Sequence, residues 1–190
     1  NFSEREELAA SIASAIQRRE DQLIIDALEA TATSLTVASS IGGANTDLNV
    51  TKLRRASRLL GDNSVGEDED LTYVGSYIGR ESLLSETETT SSDYNTIKAL
   101  VNGDINSFMG FSFKWIASRA EGGLDLTGGD RSTFAYAKSA IGHAIGMDQR
   151  MEVNYIPQKT AWLANMLFSA NAVEIDAGGV VDITCDEDGA

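Results

Sequence analysis

Apolar side chains recur at helical spacing along the opening segment: Leu8, Ile12, Ile16, Leu23 and Ala27 fall within about 100° of one another at 100° per residue. This stripe predicts one amphipathic helix from Ser3 to about Ala32. Ser3 and Glu6 form a capping box, and Glu4, Glu6 and Glu7 set negative charge at the positive end of the helix dipole. About 28 residues at 1.5 Å each make a rod of roughly 42 Å, well beyond the usual three or four turns, so the helix reads as a spine. A 3.5-residue repeat would require apolar side chains where Arg19 and Asp26 stand, which disfavours a coiled coil.

Beyond Thr31 the pattern fades into Thr, Ser and Gly, and the stretch ending at Ile41-Gly42-Gly43-Ala44-Asn45 reads as a loop. Asn49 can cap a second helix through Leu60, with Leu53, Ala56 and Leu60 inward, Arg54, Arg55 and Arg58 outward, and Gly61 as the stop. An acidic loop, Gly66 to Asp70, leads to a strand at Leu71 to Val74 and a short helix from Tyr77 to Glu86. A further helix is predicted from Asp93 to Asn102, closed by Gly103.

From Ile105 to Ile116 the period changes to two, with Phe111, Phe113 and Trp115 alternating with Ser112 and Lys114. Ala120 to Arg131 is a Gly- and Asp-rich loop, Phe134 to Lys138 is strand-like, and Ser139 to Gly146 is a run of small residues. Met151, Val153 and Tyr155 alternate up to Pro157, which ends that strand. Trp162, Leu163, Met166 and Leu167 sit at helical spacing within Lys159 to Ser169, and Val180 to Cys185 alternates again. The order predicts an α+β fold of two lobes, the first helix and the last strands forming one and the middle of the chain the other.

A chain of 190 residues and 20.3 kDa is expected to keep roughly 8,800 Å² of surface from about 29,000 Å² unfolded, enough burial to fold without a staple. The balance of 15 Lys and Arg against 29 Asp and Glu, net −14, excludes a general affinity for nucleic-acid backbones, which needs clustered cations. No apolar run approaches the ~18 to 20 residues of a membrane helix, and no basic-then-apolar leader opens the chain, so no membrane partner is expected.

Candidate chemistry is sparse. His143, the one histidine, lies among small apolar residues without carboxylate or thiol neighbours at ligand spacing, and reads as structural. Gly75-Ser76-Tyr77-Ile78-Gly79 places its serine one position too early for a nucleophile elbow, and no phosphate-cradling glycine motif occurs. The acidic clusters Glu67 to Asp70 and Asp186 to Asp188 do not match a calcium loop and read as solvated turns. Cys185 on the last apolar strand reads as a small buried hydrophobe, and Asn49-Val50-Thr51 is a formal glycosylation triplet only. No catalytic, cofactor-binding or metal-ligating residue is assigned.

Lys98 to Phe111, running into Ser112-Phe113-Lys114-Trp115-Ile116, resembles a segment of tailed-bacteriophage major capsid proteins in which a helix ends at Gly and continues Gly, charged, Ile, x, x, Phe, x, Gly, Phe. Phe134 to Gly146, Glu152 to Pro157, Ala172 to Asp176 and Gly179 to Ile183 are similar to the same family in the same order. The resemblance spans about Leu71 to Glu187, and the first helix agrees in position and character. It implies a two-lobed capsid fold: residues 1–35 as the spine helix of a peripheral lobe, 36–146 as an axial α+β lobe, and 147–190 as the return into the peripheral lobe. The family's N-terminal arm and extended hairpin have no counterpart ahead of the spine helix here. The resemblance therefore implies a later portion of the subunit, with no lysine carried over as a crosslinking residue.

The function so implied is structural and not enzymatic: a major capsid protein of a double-stranded-DNA tailed bacteriophage. Its partners would be itself, in pentamers and hexamers, together with scaffolding and portal proteins. It would enclose DNA without reading its sequence, in the virion and, during assembly, in the host cytoplasm. Loops around Gly61 to Asp70 and Ala120 to Arg131 are expected at subunit contacts. The alternatives are an encapsulin-type nanocompartment shell or, in a different class, a small acidic hydrolase or cation-binding enzyme using Glu67 to Asp70 or His143.

Overall fold

The computed structural model describes residues 4–65, 69–86 and 107–188. Ser3 of the capping box, the residues 66–68 of the acidic loop and the helix expected from Asp93 to Asn102 lie outside them, as does the stretch 98–106 that opens the family resemblance. Among the described residues the fold is mixed α+β. Helix α1 spans Glu4–Glu29, α2 Val50–Asp62 and α3 Tyr77–Ser85. The strands are β1 (Thr36–Val37), β2 (Leu71–Ser76), β3 (Ser107–Phe108), β4 (Phe111–Ile116), β5 (Leu126–Thr127), β6 (Asp130–Ala137), β7 (Ile141–Ile156), β8 (Ala161–Glu174) and β9 (Val180–Asp186).

Seven strands make one sheet in the order β1-β9-β6-β2-β4-β3, with β5 paired to β6. Pairing is parallel for β1 with β9 and for β2 with β4, and antiparallel for the others. The hairpin from β5 to β6 turns on Gly128-Gly129, both at positive φ (65° and 92°), the conformation a two-residue loop needs to match strand twist. In β2, Gly75 leaves room for the Tyr73 ring, since a Cβ there would stand 2.5 Å from the ring edge. Tyr73 is thereby free to pack against Phe113 and Trp115, which stack with centroids 5.2 Å apart.

Helix α2 covers one face of this sheet. Asn49 caps it by accepting from the Lys52 amide (2.8 Å), and Val50, Leu53, Ala56 and Leu60 are buried. Gly61 does not stop the helix as expected; it continues to Asp62. Ser64 takes the left-handed turn instead (φ 60°), with the Val65 amide donating to Leu60 O and the Ser64 amide to Gly61 O. On the opposite face, Ile24, Ile25 and Leu28 of α1 approach Val74, Tyr136 and Ile116 across a groove of about 510 Å³. The most buried positions of α1 are therefore Ile25 and Leu28, while Leu8 of the expected stripe is 46% exposed. The reason is that only the last turns of α1 meet the sheet; its earlier turns lie along β8.

The largest departure from the sequence reading is the segment 159–169, expected as a helix: 159–160 lie in the turn before strand β8, and Ala161 to Ser169 belong to that strand. It is apolar on both faces: Trp162, Ala164, Met166 and Phe168 on one, Leu163 and Leu167 on the other. Two-sided apolarity weakens the period of two and mimics helical spacing. The turn Pro157 to Thr160, with Thr160 at φ 52°, then folds β8 back onto β7. The chain thus ends strand, strand, strand. Of the small-residue run Ser139 to Gly146, Ser139 and Ala140 lie in a 3-10 turn (Lys138–Ala140) and Ile141 to Gly146 open β7. Strand β9 pairs with β6, so the end of the chain completes the sheet built by its middle. Strand β9 thus pairs within the seven-stranded sheet, while β7 and β8 pair with each other and lie against α1.

Candidate assembly surface

The hairpin of β7 and β8 forms a sheet of its own, strands of 16 and 14 residues paired from Ile141↔Glu174 to Ile156↔Ala161. The two extra residues of β7 are taken up by irregularities between Ile145 and Met147 and between Met147 and Arg150. Each changes which side the strand presents: Ile145 pairs with Ala170 on the face toward α1, and Met147 with Ser169 on the other. Along β8, Ala164, Met166, Phe168, Ala170 and Ala172 are half-buried while their odd-numbered neighbours are exposed. Since α1 packs on β8, the even-numbered residues form the face under the helix. Gln149 also donates to Glu20 (3.2 Å).

The other face is open. Leu163, Leu167 and Val173 are 48%, 45% and 60% exposed, and Met147 lies beside them across the ladder. At the tip, Tyr155 and Trp162 are directly opposite, their rings 5.2 Å apart, and both are about half exposed. A two-stranded ribbon is marginal alone in water, and exposed apolar side chains on it suit a contact with another protein; on this face they are interspersed with Arg150, Glu152, Asn154, Asn165, Ser169 and Asn171.

The interior holds polar groups whose role is to fasten elements together. Glu187 accepts from Arg131 Nε (2.9 Å) and from the Ser76 hydroxyl, both within the buried interior. Ser76 also caps α3 by accepting from the Gly79 amide (3.0 Å). Arg131 further donates to Leu124 O (2.8 Å). Lys52 is wholly buried, its ammonium donating to Thr46 O (2.5 Å) and Thr184 O (2.8 Å); burial lowers its pKa. Tyr73 donates to Thr133 (3.1 Å), which donates to Ile183 O (2.8 Å). Burial pushes the Tyr73 hydroxyl well above its ordinary pKa.

These contacts decide the fate of each residue singled out in the sequence. Ser76 is a buried cap and an interior donor. Asp186 to Asp188, expected as a solvated turn, is split: Glu187 turns inward to Arg131, while Asp188 stays exposed. The cause is the alternation of β9, which carries position 187 to the inside. His143 is exposed on β7 opposite Ala172. Of the acidic loop, Glu69 and Asp70 are described and exposed, and Glu69 accepts from Ser139 (2.5 Å). No group of three His, Cys, Asp or Glu that could hold a metal occurs among the described residues. The Cys185 thiol is buried and its pKa is pushed up to about 11 by burial. Asn49 of the glycosylation triplet is a buried cap whose amide donates to Ile41 O (2.9 Å). The segment Ala120 to Arg131, expected as a loop, instead carries the β5–β6 hairpin from Leu126 onward, because Gly128-Gly129 supply a tight turn; residues 122–124 are buried, with the Gly122 amide donating to Gln22 of α1 (2.6 Å) and Arg119 paired to Asp21 (2.9 Å), and Asp125 to Gly128 face outward.

The sequence reading named Leu163 and Leu167 but placed them on a helix. The signal for a strand was present in the period of two from Ala164 to Ala172, where apolar even positions, the face under α1, alternate with Asn165, Ser169 and Asn171.

The sequence pattern of a family described as phage capsid protein matches residues 1–187. The chain belongs to the phage capsid protein family. No curated protein matches it in sequence. Its fold is similar to that of a chain from Mycobacterium phage Che8, with a TM-score of 0.74 at 17% identity over 94% of this chain and 62% of that one. It is also similar to the head structure of Helicobacter pylori bacteriophage KHP40 (TM-score 0.71, 10% identity, 96% of this chain and 69% of that one). A virus-like particle from Pyrococcus furiosus is a more distant likeness (TM-score 0.54, 11% identity, 87% and 61%). The chain thus spans about two thirds of the length of the chains whose fold it shares. Family and fold point to a structural protein of the virion.

Proposed function

We propose that this capsid protein is the wall-forming subunit of a double-stranded-DNA tailed phage, assembling through heterologous contacts into pentamers and hexamers of an icosahedral shell. The observation that carries this is the open apolar face of the β7–β8 hairpin, Met147, Leu163, Leu167 and Val173, on a family member whose fold relatives include capsids. In this reading α1 and the hairpin form the peripheral lobe. The seven-stranded sheet with α2 and α3 forms the axial lobe, to which β9 returns. Scaffolding and portal proteins are its partners in the host cytoplasm, and packaged DNA is enclosed without being read.

Replacing Leu163 and Leu167 together by Asp tests this, because both side chains face outward and the variant should keep its fold. Sedimentation and electron microscopy should find shells or rings for the unaltered subunit and monomers for the variant. Assembly of the variant at the unaltered subunit's threshold would overturn the reading. Nuclease-protected DNA inside the shells is expected; a protein cargo in its place would mark a nanocompartment.

A further inference from the structure

We propose that the outer side of α2 is an electrostatic docking strip for a second copy of this chain, which presents the acidic end of its β5–β6 hairpin. The inference rests on the proposed role as a shell subunit. Arg54, Arg55 and Arg58 lie within about 100° of one another around the helix, and all three are exposed. Lys52, one turn earlier, is turned inward, so the strip is a separate feature from the core. Three exposed arginines within five residues are conspicuous on a chain whose 29 acids outnumber its 15 Lys and Arg. Arg58 reaches Asp62 of its own helix at 3.8 Å with both side chains more than half exposed, a contact worth little in water.

The complementary surface is on the same molecule but elsewhere. Asp130 stands directly opposite Asp186 in the ladder, and the Asp188 carboxylate lies over Gly129, where a Cβ would come within 2.1 Å of it. Asp125 projects from the same hairpin. The adjacent arginine, Arg131, is turned inward to Glu187. Asp125, Asp130 and Asp188 enter no ion pair among the described residues. Like charges opposite one another in a ladder repel, and a cationic partner relieves that cost.

A contact between two different patches on successive copies is heterologous and closes into a ring when the rotation permits. Three arginines on a chain of net −14 are a poor seat for a nucleic-acid backbone, whose binding strength grows with the number of phosphates neutralised. They are suited to a few carboxylates at a protein rim, where charge sets orientation and partner choice.

The test uses the full chain in its assembling form. R55E/R58E should raise the protein concentration needed for shells or rings at least about tenfold, because like charges then face each other. D130K/D188K should do the same, and the two pairs combined in one chain should restore assembly. Circular dichroism and the unfolding temperature of each variant monitor the fold. Normal assembly of R55E/R58E overturns the inference, as does failure of the combined variant to recover while still folded. Shells that form normally but lose nuclease-protected DNA would assign the strip to nucleic acid and overturn it too. An unaltered subunit that never assembles would overturn the shell reading itself, and this proposal with it.

Discussion

Arg131→Met isolates what the buried pair with Glu187 contributes. The side chains of Arg131 and Glu187 are only 5% and 3% exposed, and Arg131 supplies bonds to Glu187 (2.9 Å), to Leu124 O (2.8 Å) and to Ser118 (3.4 Å). Methionine fills most of the volume but leaves the Glu187 carboxylate to the Ser76 hydroxyl and removes the Arg131 donor from Leu124 O. Breaking a buried pair from one side costs about 3–5 kcal/mol, since an uncompensated charge stays inside. For a chain of this size 1 kcal/mol moves the unfolding temperature by roughly 2–4 °C, so the variant should melt about 6–20 °C lower. Thermal unfolding followed by circular dichroism measures this. The paired variant R131M/E187L removes both charges and should recover most of the loss, because well-packed apolar replacements of a buried pair are often neutral. An Arg131→Met variant within about 1 kcal/mol of the unaltered protein, or a paired variant worse than either single change, would refute the reasoning.

Burial raises the pKa of Glu29, Asp47 and Asp182. An acid whose folded-state pKa is raised contributes stability that is complete below its unfolded pKa, about 4, and is lost as pH rises through the folded value. Melting temperature should therefore rise as pH falls from 7.5 toward 5. Asp182→Asn should stabilise at pH 7.5 by roughly 1 kcal/mol and flatten the slope, because Oδ1 of Asp182 is buried with no hydrogen-bond partner. A less stable Asp182→Asn at pH 7.5 would contradict this. Cys185, buried with a thiol pKa of about 11, should resist a thiol reagent at pH 8 until denaturant is added; labelling of the native protein within minutes would show that β9 opens.

The parts of the fold legible in the sequence are those where one face alone meets the interior. Helix α2 packs on a single side, so Leu53, Ala56 and Leu60 repeat at helical spacing and Asn49 marks its start. Strand β4 has one buried face, so Phe111 and Phe113 alternate with Ser112 and Lys114. Helix α1 was recognisable for the same reason, but its burial was not: which turns reach the sheet depends on where the hairpin and the sheet lie, and that put Ile25 and Leu28 inside and Leu8 outside.

The candidate assembly surface was hidden because β8 turns Leu163 and Leu167 outward as well as Trp162, Met166 and Phe168 toward α1. Local order alone therefore suggested a helix at 159–169. By itself the sequence determined the mixed α+β class, the spine helix, the acidic charge and the absence of a recognisable catalytic motif, all properties of neighbouring residues or of composition. Tertiary structure alone decided that β8 pairs with β7, that β9 closes the sheet beside β6, and that Glu187 turns inward to Arg131. Each of these is a choice of partner far along the chain, made by pairing backbone groups and burying area that local spacing does not encode.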